Sequence, residues 1–171
     1  TPVADGWPMF QSQTNNTGRT ATHWCGAGGC STTQTDVSDF WMVDRDYTSC
    51  TVTVALATAP GSGNDWAVSL LTEQTAFAST NSCAANIGSY ESTSCCTIAG
   101  TNTTCSCTIS PTISAPSCMQ LAVTASGTPT STGNYNYTVA CQESGGDGLM
   151  NFENSSTSSV SATQYLGPTT G

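Results

Sequence analysis

The sequence predicts an all-β fold: a disulfide-stapled antiparallel β-sandwich with extended N- and C-terminal arms. Three observations carry this. Of 171 residues, 31 are Thr and 23 are Ser; β-branched Thr suits a pleated strand, and the strong helix formers Lys, Glu and Leu are scarce. Ten cysteines accompany a single histidine. Between turn signals, short runs alternate hydroxyl and apolar residues, which is the period of half-buried strands.

Taken in order, residues 1–35 form an arm with little periodic pattern. It holds the apolar cluster Trp7, Met9 and Phe10 and the segment Cys25-Gly26-Ala27-Gly28-Gly29-Cys30, which closes a tight glycine-permitted loop if its two cysteines pair. Residues 36–141 are the sandwich domain. Phe40 to Val43 is a short strand, and Cys50 to Leu56 alternates at period two. Pro60-Gly61-Ser62-Gly63-Asn64-Asp65 reads as a turn, followed by a strand from Trp66 to Leu71. Residues 80–117 hold five cysteines among Ser, Thr and Asn and read as a stapled loop or an excursion of small strands, with extended runs at 96–99 and 105–109. Strands over Cys118–Val123 and Tyr135–Cys141 complete the set. Residues 142–171 are a Ser/Thr-rich arm carrying Val160, Tyr165 and Leu166. No segment reads as a convincing helix.

The cysteines are Cys25, Cys30, Cys50, Cys83, Cys95, Cys96, Cys105, Cys107, Cys118 and Cys141. Their even number, in a chain without lysine, reads as five disulfides formed in an oxidising compartment. Metal binding is the rival reading. It is disfavoured because the close spacings are adjacent, one apart and four apart rather than C-x₂-C, and His23 is the single imidazole. Connectivity stays open, since ten cysteines allow about 945 pairings by extension of the usual count.

Charge excludes whole classes of partner. Two basic residues, Arg19 and Arg45, face eleven acids, for a net charge of −9. Such a surface has nothing with which to neutralise a phosphate backbone or an anionic bilayer, so neither nucleic acid nor a polybasic membrane contact is expected. No apolar run approaches the 18 or so residues of a membrane helix. The chain opens on Thr1-Pro2 without a charged-then-apolar leader, the expectation for a mature exported protein.

Four segments together resemble a known family. They are Asp39-Phe40-Trp41 followed by Val43, the alternating stretch Thr51 to Leu56, Asp65-Trp66-Ala67-Val68-Ser69-Leu70, and Tyr135-Asn136-Tyr137-Thr138-Val139. In this order they resemble the bacterial pre-peptidase C-terminal domain, a small β-sandwich found on secreted proteases and surface proteins. The resemblance spans roughly residues 36–141. The cysteine density and the stapled middle depart from the family. A shared fold would imply the sandwich without giving a function.

Candidate chemistry is sparse. His23 is the one imidazole base and no G-x-S-x-G elbow is present, so no catalytic site is expected. No cofactor is expected either, apart from calcium: Asp36, Asp39, Asp44, Asp46 and Asp147 offer oxygen ligands, with turn and strand-end roles as the alternative, since none follows an EF-hand spacing. Asn15, Asn102, Asn136 and Asn154 head N-glycosylation sequons. Trp7, Trp24, Trp41 and Trp66 admit stacking on sugar rings, although Trp41 and Trp66 lie on expected strands and suit the core.

Two functions follow as expectations. One is a structural subunit of an extracellular filament or surface assembly, a homopolymer whose arms add strands to neighbouring copies through Trp7, Met9, Phe10, Val160, Tyr165 and Leu166. The other is a carbohydrate-binding accessory module of a secreted hydrolase.

Overall fold

The computed structural model describes residues 9–14, 18–36, 39–43, 46–73, 83–111, 113 and 116–143. It is a disulfide-rich antiparallel β-sandwich, with ten strands among the described residues: β1 (Met9–Thr14), β2 (His23–Gly26), β3 (Gly29–Ser31), β4 (Trp41–Val43), β5 (Tyr47–Leu56), β6 (Gly61–Glu73), β7 (Tyr90–Gly100), β8 (Thr104–Ile109), β9 (Ser117–Ser126) and β10 (Tyr135–Glu143). One sheet has the order β1-β10-β5-β8. The other has the order β3-β2-β9-β6-β7, with β4 also paired to β9.

The strands form where period-two patterning puts apolar side chains on one face. On β5, Cys50, Val52, Val54 and Leu56 are buried, while Thr51, Thr53 and Ala55 point outward. On β10, Tyr137, Val139 and Cys141 do the same. The six-stranded sheet answers with Trp41, Val43, Trp66, Val68, Leu70, Ile98, Met119, Leu121 and Val123, all in one continuous core with the first set. Tyr137 ties the sheets at the centre: its ring meets Trp41 edge-on at 6.0 Å, and its hydroxyl lies 2.7 Å from the carbonyl oxygen of Gly26 and 3.1 Å from that of Gly29. At Gly26 a Cβ would sit 2.1 Å from the backbone of Asp39, so this contact between hairpin and loop requires glycine.

The structure differs from the sequence reading in three places. Part of the expected N-terminal arm is built into the sandwich, since β1, β2 and β3 pair with strands of both sheets. The expected turn over 60–65 lies inside β6. Gly61 pairs with Gly100 and Asp65 with Ala99, so Ser62, Gly63 and Asn64 loop out of register, and the positive φ of Gly61 and Gly63 accommodates the excursion. The stapled middle contains a full eleven-residue strand, β7, preceded by a 3-10 helix over Cys83–Ser89. Of the four segments named above, Trp41 and Val43 lie on β4 with Asp39 and Phe40 just before it, and the other three lie on β5, β6 and β10.

All ten cysteines are paired: Cys25–Cys30, Cys50–Cys141, Cys83–Cys118, Cys95–Cys107 and Cys96–Cys105. The first two join directly opposed residues of β2–β3 and β5–β10. Cys83–Cys118 anchors the 3-10 helix to β9. The last two cross from one sheet to the other, from β7 to β8. Adjacent residues of a regular strand face opposite ways. Here the β6–β7 register slips between Val68↔Cys96 and Ser69↔Ser94, so Cys95 is an extra residue in a bulge. Both neighbours thereby reach β8, where Cys105 and Cys107 share a face.

Cross-linking stabilises by restricting the unfolded chain, more for longer loops. Cys50–Cys141 spans 91 residues and Cys25–Cys30 spans 5. Replacing the first pair by alanine is expected to lower the unfolding free energy by about 4 kcal/mol, and replacing the second by about 2 kcal/mol. Denaturant melts of the two double variants measure the order, and equal or reversed losses would contradict it.

Candidate functional site

The feature that sets this sandwich apart is an edge strand left outside the disulfide network. Six consecutive antiparallel pairs join β1 to β10, from Met9↔Ala140 to Thr14↔Tyr135. On its other side β1 pairs with no strand among the described residues. The next strands inward are covalently locked, β10 to β5 by Cys50–Cys141, and β8 at the far edge to β7 by two bonds. Strands β4 and β6 also lack cysteines, but β6 lies between β9 and β7, and β4 buries Trp41 and Val43 in the core.

The chain is fastened again soon after β1. Arg19 N–H donates to Thr132 Oγ1 at 2.9 Å, Thr132 N–H donates to the Arg19 carbonyl at 3.0 Å, and the Arg19 guanidinium donates to the Cys30 carbonyl. Four residues lie between Thr14 and Arg19, a reach of at most about 18 Å over five extended steps. Met9 and Phe10, expected as assembly contacts, lie at the start of β1. Trp7, Val160, Tyr165 and Leu166 fall outside the described residues.

The outward face of this sheet is uncharged along β8, β5 and residues 135–142 of β10. Cross-strand hydroxyls pair on it, Thr51 with Thr108 at 3.0 Å and Thr53 with Ser106 at 2.8 Å. Such pairs stabilise neighbouring strands and fix their register.

The other sequence candidates are scattered. His23 lies on β2, fully buried, edge-on to Trp66 at 5.4 Å. Its Nδ1–H donates to the Ala21 carbonyl at 2.9 Å, because a carbonyl can only accept. Burial, opposed in part by that bond and aided by the Arg19 charge, lowers its pKa to about 4. Among the calcium candidates Asp39 is buried, Asp36 half-buried and Asp46 exposed, and Asp44 and Asp147 fall outside the described residues. Among the described residues, the one group of three metal-type ligands within 4.8 Å is Cys95, Cys96 and Cys107, whose sulfurs are all in disulfides. Trp41 and Trp66 are core residues, Trp24 is half-buried on β2, and the large apolar side chain exposed among the described residues is Met42. Asn102 and Asn136 are exposed, and Asn15 and Asn154 fall outside the described residues.

A buried polar group that the sequence reading did not find lies on the outer side of the six-stranded sheet. Glu73 accepts from the Cys118 N–H at 3.0 Å, and Gln120 donates to the Gln34 carbonyl at 3.1 Å. Tyr90, near Glu73, has its hydroxyl pKa pushed well up, by burial first and by that carboxylate second. Nothing in the spacing of residues 34, 73, 90 and 118 marks this group, which is brought together where Cys83 is bonded to Cys118 and Gln34 meets Gln120.

No protein-family model and no curated protein matches this chain. The family resemblance therefore rests on the four segments named above. Among the described residues, no helix is long and apolar enough to cross a membrane.

The buried imidazole generates a pH prediction. The unfolded chain takes up a proton at His23 near its ordinary value of 6.5, and the folded chain near 4. Stability carried by the neutral ring is therefore present above pH 6.5 and lost as pH falls toward 4, by about 3 kcal/mol in all. The stability difference between the native chain and a His23→Gln variant should shrink by that amount between pH 7 and pH 4. A difference that stays constant across this range would contradict the assignment.

Proposed function

We propose that this chain is a structural subunit of an extracellular assembly, in which the N-terminal strand of one copy adds to the sheet of the next. One observation carries the reading: β1 is an edge strand attached by backbone pairing to β10, on a body whose other edge is cross-linked. Backbone pairing is indifferent to which copy supplies the strand, so an uncross-linked terminal strand is the element two copies can exchange. We take the contact as heterologous and open, β1 of one copy on the β10 edge of the next, so that repetition gives a filament.

Supporting chemistry comes from the rest of the chain. Five disulfides suit an oxidising compartment and survive outside the cell. The neutral hydroxyl face offers no charge that would repel a neighbouring copy. The sugar-binding module is the alternative reading; Trp41 and Trp66 lie in the core as expected, which leaves Trp24, half-buried on β2, as its described candidate.

A paired-cysteine variant separates self-pairing from exchange. Gln11 lies directly opposite Thr138 in the β1–β10 register. In a Gln11→Cys/Thr138→Cys variant, exchange between copies predicts a ladder of covalent oligomers on a non-reducing gel, collapsing to one band on reduction. A single monomer band with the new bond closed inside one chain would overturn the proposal.

A further inference from the structure

The four sequons are alike as sequence, and the fold separates the two it describes. Asn102 lies in the turn that carries the chain from β7 to β8, inside the loops that both inter-sheet disulfides close. Its backbone N–H donates to the Ala99 carbonyl at 3.0 Å, and the Leu56 N–H donates to the Thr103 carbonyl at 2.7 Å, so the turn is anchored on its inner side. Thr101, Asn102 and Thr104 are exposed, and Thr104 is the hydroxyl residue the sequon requires. Asn136 is also exposed, but it sits within β10, paired to Gln13 of β1 on one side and Ala55 of β5 on the other. Its sequon threonine, Thr138, is half-buried and paired to Gln11 and Thr53.

A transferase must hold the acceptor asparagine together with the hydroxyl two residues on. Asn102 lies in the turn, and Thr104 opens β8, an edge strand paired through Ala55 to β5 and, among the described residues, to no strand on its other side, so both can be presented without disturbing the sheet. The middle strand of a ladder cannot, because its backbone donors and acceptors are committed on both sides.

We infer that Asn102 is an N-glycan acceptor in the folded protein and that Asn136 is not. In the transfer, the Asn102 side-chain nitrogen forms a bond to the anomeric carbon of a glycan carried on a polyprenyl diphosphate. The anomeric carbon–oxygen bond breaks, the lipid diphosphate leaves with the electron pair, and the amide nitrogen gives up one proton. The location has a consequence for assembly. The turn adjoins β8, at the opposite edge of the four-stranded sheet from β1. A bulky, solvated group there blocks pairing at the far edge and leaves the β1 edge free. The assignment of Asn102 does not depend on the assembly reading, which a bare Asn102 would leave standing.

The test treats the folded, disulfide-intact protein with an oligosaccharyltransferase and a lipid diphosphate-linked oligosaccharide, with the reduced, unfolded chain in parallel. Peptide mass spectrometry reads each site. The expected result is a glycan on Asn102 in both samples and on Asn136 in the unfolded sample alone, with the Asn102 glycan absent from an Asn102→Gln variant. An Asn102 modified in the unfolded chain but bare in the folded one would overturn the inference, and so would a folded chain modified at Asn136.

Discussion

Cys95–Cys107 and Cys96–Cys105 fasten the edge of the six-stranded sheet to the edge of the four-stranded sheet, and both enclose the turn between β7 and β8. Packing of two β-sheets otherwise rests on side chains interdigitating across the interior. Here the corner is covalent, and the core between Trp66, Val68, Ile98 and Val52, Val54 closes against a fixed hinge. The bulge at Cys95 is what makes this arrangement feasible. Without the extra residue, two consecutive cysteines would face opposite sides of β7, and one would point away from β8.

The remaining bonds extend that lock in stages. Cys50–Cys141 joins β5 to β10 at the centre of the four-stranded sheet, Cys25–Cys30 closes the β2–β3 hairpin, and Cys83–Cys118 pins the 3-10 helix over the other sheet's outer side. A chain with 8% charged residues has few ion pairs to draw on. Its stability has to come from apolar burial, backbone pairing and restriction of the unfolded state. In the proposed assembly, the contrast between this locked body and the uncross-linked β1 is a division between a part that keeps its shape and a part that changes partners.

Much of this was legible in the residues. Thr51-Val52-Thr53-Val54 announces its strand because one face is buried and the other wet, and the even cysteine count announces disulfides. Pairing was not legible, because partners such as Cys50 and Cys141 are brought together by register across 91 residues. Strand β7 was obscured by its own bulge, since an inserted residue breaks the period-two signal at Cys95. Strand β1 was hidden for another reason. Gln11-Ser12-Gln13-Thr14 has no apolar alternation to reveal it. The edge strand on which the proposed assembly depends is therefore also the one that sequence periodicity is least able to find.

The central claim is that β1 opens separately from the body that carries it, and native-state hydrogen exchange reads this directly. Amides of β1 are expected to exchange through a local opening that depends little on denaturant, well ahead of the β5 and β10 amides paired across Thr53 and Thr138, which should exchange through global unfolding. If the β1 amides instead show the same protection and the same denaturant dependence as those of β5, then β1 is an integral part of the fold, and the account of strand exchange is contradicted.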